Sequence, residues 1–312
     1  MPASRYPGQR RWHHWRALVA AGTGALWSGL PHAVVVVVPE VRPPYAQVFE
    51  QIVAGVRAGT DQPVRALSVS AASSRVDELA GAADTVVIAL GPTAAQVTRS
   101  LHGRAPVILG AVTGEDPALT GLPGISLEPD PARLYQELRV LRPNIRTVHV
   151  LYHPQRGAWL MGHAQTAAAR AGMSLDARPV SNLKEAAQAF RSVLDIADPA
   201  RDAVWLLRDR AILDDQTLLP YVLEQAWVRN LTLVSSNLNH VERGALFALF
   251  PDNARLGERL GALAARTLDG AAPAPLAPLR ELRIAVNQRT ARHLGVDLDR
   301  RAAGYDLILP SR

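Results

Sequence analysis

The sequence predicts an α/β protein of two Rossmann-like lobes, each built on a parallel sheet, and three observations carry that expectation. From residue 34 onward, short apolar runs alternate with segments of helical periodicity, the pattern of strands buried on both faces beneath crossover helices. A chain of 312 residues is long for one core and suits two of ordinary size. A stretch rich in Gly and Pro, 121–131, interrupts the alternation and reads as a connection between packed units, with a lobe boundary near Glu128.

The elements follow in order. The five valines at 34–38 form a strand without a polar face, and 46–56 then places Val48, Phe49, Ile52, Val53 and Val56 at helical spacing. Further strands are expected at 64–69, 85–90, 106–111, 147–152, 203–207 and 231–234. Helices fit at 75–82, 93–101, 131–141, 160–171, 183–195 and 213–228. An Ala/Pro-rich stretch at 270–278 reads as an extended crossing or surface loop.

Parallel sheets need right-handed crossovers, and their ligand crevices open beyond the carboxyl ends of the strands. That rule selects the windows 39–45, 91–93, 112–116, 153–159, 208–210 and 235–239.

With 48% hydrophobic and 20% charged residues the chain is expected to fold rather than remain disordered. Its net charge of +6 is concentrated at one end: Arg5, Arg10, Arg11 and Arg16 fall in the first 33 residues, which hold no acid, and the body keeps about +2. So even a balance argues against a nucleic-acid footprint. Residues 1–33 read as a targeting segment, basic through Arg16, apolar over 17–30, with Pro31-His32-Ala33 as the cleavage end. Export to the periplasm with removal of the segment is the expectation. The alternative is an uncleaved N-terminal anchor, since 17–38 approaches the length that spans a bilayer, although Pro31 and His32 interrupt it. The absence of cysteine removes disulfides, thiolate metal sites, cysteine nucleophiles and a lipoprotein anchor together.

Enzyme signatures are missing: there is no Gly-x-Ser-x-Gly elbow, no Gly-x-x-x-x-Gly-Lys-Ser/Thr phosphate loop and no His-Glu-x-x-His pair. The histidines of the body form no His-x-x-x-His pair on an expected helix, since His149 of the 149/153 pair falls in an expected strand, so neither a metal nor a cofactor is expected. Binding chemistry is more visible. Gly91-Pro92-Thr93 joins a strand to a helix start, where a hydroxyl and free amides could meet an anionic group or could simply cap the helix. Asp209 stands at a strand end between Arg208 and Arg210, either as an acceptor for an ammonium group or as half of a rim ion pair. Ser235-Ser236-Asn237 supplies short polar side chains that suit a ligand and a turn equally. Tyr45, Tyr152, Trp159 and Trp205 lie in or beside strand ends and suit a ring-bearing ligand, with Trp205 read as core.

Several segments, taken in order, resemble the substrate-binding proteins of bacterial ABC transporters. They are Pro44-Tyr45…Phe49…Gly55, Ala89-Leu90-Gly91-Pro92-Thr93-Ala94-Ala95-Gln96, Pro106 to Thr113, Gly124-Ile125-Ser126, Leu141-Arg142-Pro143, Val150 to Pro154, Asp209, and Gly244 to Gly257 followed by Val286-Asn287…Ala291…Leu294-Gly295. The resemblance covers nearly all of 34–295 and is to the periplasmic type I fold, in the branch with tryptophan and other aromatic amino-acid binders. It implies two α/β lobes joined by three crossing strands, a ligand closed between them, and no covalent chemistry. Lobe one would hold 34–126 plus 244–280, and lobe two 127–241 plus 283–312. The family's contacts carry over to Tyr45, Gly91, Thr93, Thr113 and Ser126 from lobe one, to Tyr152, Asp209 and Asn237 from lobe two, and to hinge-side Asp252, whose Pro-Asp-Asn setting also suits a helix cap. Where relatives commonly read Asn-Val-Thr-Gly this chain has Leu122-Pro123-Gly124, and where they often place Asn-Ser it has Ala158-Trp159. Those departures imply a more apolar pocket and put amino-acid specificity in doubt.

The expectation is therefore a monomeric periplasmic receptor that closes on a small ligand and delivers it to an ABC permease. A sensory subunit reporting ligand to a membrane partner would use the same cleft. A cytoplasmic α/β enzyme is the reading from another class, and it lacks a nucleophile–base pair.

Overall fold

In a computed structural model, residues 33–298 and 304–310 are described, apart from 44, 83 and 115. The expected targeting segment lies outside them except for Ala33, which already pairs with Thr85. Among the described residues no helix is long and apolar enough to cross a membrane.

The first sheet begins with β1 (Ala33–Val38), α1 (Tyr45–Ala58), β2 (Val64–Ser68), α2 (Val69–Ser73) and α3 (Val76–Gly81). It continues through β3 (Thr85–Leu90), α4 (Gly91–Val97), β4 (Val107–Val112), α5 (Pro117–Thr120) and β5 (Gly124–Pro129). Val34 and Val36 pack into one cluster with α1, while Val35 and Val37 pack into another on the opposite face. Burial on both sides is the reason the strand carries no polar residue.

The chain then enters the second unit with α6 (Pro131–Leu141), β6 (Thr147–Tyr152), α7 (Pro154–Ala171), β7 (Ser174–Pro179) and α8 (Leu183–Ile196). It goes on through β8 (Asp202–Leu206), α9 (Leu218–Val228), β9 (Thr232–Ser235), α10 (Leu238–Arg243) and β10 (Phe247–Pro251). Helix α11 (Asn253–Leu268) and β11 (Ala277–Leu279) return to the first unit; β12 (Leu282–Asn287), α12 (Gln288–His293) and β13 (Leu307–Leu309) close the second.

The six-stranded sheet runs β11-β5-β4-β3-β1-β2, all parallel, and the seven-stranded sheet runs β13-β12-β10-β9-β8-β6-β7, with β10 and β12 antiparallel. The chain crosses between the sheets three times, at Pro129–Pro131, Pro251–Asn253 and Leu279–Leu282. This is the two-lobe α/β arrangement expected.

The crossings differ from the expected bounds. Residues 247–251 stay in the second sheet, parallel to β9 and antiparallel to β12, so the return to lobe one happens at Asp252 and not at Gly244. The apolar Phe247-Ala248-Leu249 run is fully buried there. At the other boundary, β5 continues through Pro129 inside the first sheet, where 121–131 had read only as a connection. Asn287, in the resembling segment after Gly257, ends β12 inside lobe two and caps α12 by accepting from Thr290 N.

The return docks α11 on α1 through glycines four residues apart, Gly257 and Gly261 on α11 against Gly55 on α1 and Gly59 just past its end. A Cβ at Gly55 would stand 2.9 Å from Glu258 N, and one at Gly257 would stand 2.8 Å from Gly55 Cα. Gly59 and Gly261 meet one turn further on. Hence the final Gly of the Gly244 to Gly257 segment is a helix-packing residue.

Candidate functional site

Residues just past β4 in one lobe and past β6 and β8 in the other line a common cleft, and β3, the parallel neighbour of β4, ends at the same sheet edge. On the lobe-one side the main chain is bent to reach it. Register between β4 and β5 shifts between Gly110 and Val112, and Ala111 takes a left-handed φ of 54°. A bulge of this kind re-aims the residues that follow it, here half-buried Thr113 and buried Gly114. Beside it, Gly91 holds φ 79° at the start of α4, which begins with no side-chain cap. The Thr93 hydroxyl is therefore not spent as a cap.

On the lobe-two side α7 starts earlier than its expected position at 160. His153 caps it by accepting from Gln155 N, and Pro154 occupies its first turn. The extra turns put Arg156, Trp159 and Leu160 on one helical face. The Arg156 guanidinium grips Asp209 at the end of β8: Nε donates to Oδ2 at 3.2 Å, and Nη2 donates to both carboxylate oxygens at 2.9 Å. Asp209 Oδ1 also accepts from Ala211 N at 3.0 Å. Thus Asp209 does form an ion pair, with an arginine 53 residues away and not with its neighbours Arg208 or Arg210.

Trp159 closes the cleft. It packs against the core of its own lobe and also against the lobe-one cluster, with Gly114 under its benzo ring. Gly114 and Glu128 from one side and His153, Arg156 and Asp209 from the other line a partly open cavity of about 30 Å³. That holds one or two waters, whereas small-molecule sites measure roughly 300 Å³ or more.

The other expected contacts separate into distinct groups. Tyr45 opens α1 with 66% of its surface exposed. Tyr152 ends β6 and abuts Gly157 in the wall of the cleft. Ser126 is fully buried inside β5, its hydroxyl accepting from Glu128 N at 3.0 Å. Asn237 caps α10 through Asn239 N, and Asp252 caps α11 through Arg255 N. Trp205 is core, 1% exposed, its Nε1 donating to Ser236 Oγ.

A buried polar constellation lies at the start of α10. Ser235 Oγ lies 2.8 Å from His240 Nδ1, and His240 Nε2 lies 3.6 Å from Asp215. Burial, aided by Arg243 and opposed by Asp215, holds the imidazole down to about 4, so it is neutral. The order resembles a nucleophile, base and carboxylate. However, Ser235 is fully buried, donates to Leu206 O and accepts from Asn237 N. Its oxygen faces main chain and not a substrate, and the three residues hold the start of α10 against β8 and β9.

The family model described as ABC transporter substrate binding protein matches residues 67–303. The chain belongs to that family. Among solved structures it is similar to a domain in complex with L-Trp from Streptococcus pneumonia, at 20% identity and TM-score 0.50, covering 89% of this chain and 100% of that one. It is also similar to the ligand-free, open form of a substrate binding protein with adhesive properties from Clostridium difficile, at 17% identity and TM-score 0.59, covering 85% and 95%. A conserved domain protein from Vibrio cholerae matches at 18% identity and TM-score 0.52, covering 89% and 99%. At these identities the likeness is one of fold. Comparison with curated proteins returns no match. The type I periplasmic binding fold and membership of a solute-binding family follow.

Arg156, His153 and Gly114 were not singled out from the sequence, although each lies in a strand-end window. The usable signal was His153-Pro154, a helix start that places Arg156 and Trp159 three apart on the wall.

Proposed function

We propose that the protein is an exported solute receptor that closes its two lobes on a small aromatic or amino-acid-like ligand and hands it to an ABC permease. The observation that carries this reading is the Arg156–Asp209 pair beside the Trp159 ring at the carboxyl ends of lobe-two strands. A paired guanidinium and carboxylate offer donors to a ligand carboxylate and an acceptor to an ammonium, and an indole offers apolar area to a ring. The proposed contacts are Arg156, Asp209, Trp159 and Tyr152 from lobe two, with Thr113 and the main chain at Gly91 and Thr93 from lobe one. Ser126, Asn237 and Asp252 are assigned to holding the crossing and helix starts, and Tyr45 to the outer rim. Closure follows from a ligand's higher affinity for the closed form.

A thermal-shift screen of amino acids, aromatic acids, peptides and sugars tests the reading. A ligand at 100 times its Kd adds about 2.7 kcal/mol, a rise of about 4 °C for a protein of this size. Asp209→Asn and Arg156→Ala should each abolish the shift while the protein stays folded. A ligand whose shift survives both substitutions would place the site elsewhere, and turnover of a substrate by the purified protein would overturn the receptor reading.

A further inference from the structure

We infer that the Trp159 indole is a built-in occupant of the cleft, seated on Gly114 of the opposite lobe, and that it determines which ligands the cleft admits. This rests on the receptor reading for its biological meaning but not for its physical content. Trp159 packs against the cores of both lobes, as Leu282 does at the third crossing, and Trp159 does so beside the cleft. A Cβ at position 114 would stand 2.8 Å from Trp159 Cδ2 and 3.0 Å from Cζ3, too close for carbon atoms, so the lobes meet this way because residue 114 is glycine. His163, one turn along α7, supports the indole edge-on, its ring centroid 4.7 Å away and the planes at 71°.

The indole thus takes up the volume that a ligand ring would need and leaves about 30 Å³ beside Arg156 and Asp209. Two consequences follow. The arrangement in which Trp159 meets Gly114 has an internal source of stability, so a ligand shifts the balance only by the amount its own contacts exceed those of the indole. The ligand must also displace the indole from its seat on Gly114, a bare stretch of main chain, and lie between the two as the ring that Trp159 then contacts, which favours a planar ring over a branched aliphatic chain of equal size.

The chain has no cysteine, so labels go only where they are introduced. Ser100→Cys in lobe one and Ser181→Cys in lobe two, both at exposed positions, carry spin labels for pulsed distance measurement on the full chain without added solute. The otherwise unchanged protein should give a narrow distribution. Trp159→Ala and Gly114→Val, which break the contact from opposite sides, should each broaden it toward longer distances, and Trp159→Phe should fall between. Free indole should restore the narrow distribution in Trp159→Ala, by filling the space the side chain left, and should not restore it in Gly114→Val. Circular dichroism establishes that each variant is folded, and if one is not, the other decides. Distributions that both substitutions leave unchanged, or a Trp159→Ala variant indifferent to indole, would overturn the inference. These results need no cognate ligand, so they stand apart from the thermal-shift screen that judges the receptor reading.

Discussion

Ala111 holds φ at 54° where β4 and β5 lose register, a conformation that costs a residue with a Cβ about 1 to 2 kcal/mol. The strain turns Thr113 and Gly114 toward the cleft, which gives it a use at that position. Ala111→Gly should therefore leave stability within about 1 kcal/mol of the parent, while Ala111→Val, branched at Cβ, should lose more than about 2 kcal/mol, both read from urea unfolding. His240 makes a second residue-scale prediction. Its folded-state value of about 4 lies below the ordinary 6.5, so between those values the unfolded chain binds a proton that the folded chain refuses. Stability is then fully present above pH 6.5 and falls as pH drops toward 4, by up to about 3 kcal/mol. Melting curves from pH 7 to pH 4 should show this decline, and His240→Gln should flatten it. Neither residue stood out in the sequence, because left-handed backbone and burial are properties of the packed chain.

At the scale of elements, legibility follows burial. The valines of β1 and the apolar runs of β3, β6 and β8 announce themselves because both of their faces are covered. Strand β7 was missed for the opposite reason: it is a sheet edge, and Asp176 and Arg178 face each other along it in an ion pair at 2.7 Å. Strand β5 was hidden by flanking prolines. Helix α9 starts at Leu218, later than its apolar pattern suggests, because Asp214 gathers the amides of Gln216, Thr217 and Leu218 ahead of it. The contact between α1 and α11 is the element-scale feature most open to test. Gly257 faces main chain at Ile52 and Gly55, which a side chain cannot push aside by changing rotamer. Gly257→Val should cost about 3 kcal/mol or more, the upper end of overpacking, as measured by chemical denaturation. Gly162→Ala, at a helical position with open space around it, should by comparison stabilise slightly.

At the scale of the whole molecule, three crossings make each lobe depend on distant parts of the chain. Lobe one needs α11 to cover β1 and β3, and Leu256, Leu260 and Ala264 lie in the same cluster as Val34 and Ile88. A chain ended at Pro251 lacks α11 and β11, so it should show no cooperative melting of lobe one and should expose apolar surface to a hydrophobic dye. Across the second and third crossings, Asp252 N donates to Glu281 O, and across the first and third Asp130 N donates to Leu279 O, so the hinge is a bundle of main-chain bonds close to all three. Motion at the hinge would separate Gly114 from Trp159 without breaking either sheet.

The sequence by itself determined the α/β class, the parallel strands that dominate both sheets and the windows in which a ligand site could stand, but not the antiparallel pairing of β10 with β12. These follow from local periodicity and from the rule that parallel strands open their crevice at the carboxyl end. Tertiary structure alone decided that Gly244 to Pro251 stays in lobe two, that Asp209 belongs to Arg156, and that Trp159 rests on Gly114. Each is a pairing between residues far apart in the chain, and such pairings depend on which surfaces remain to be buried once the sheets have formed.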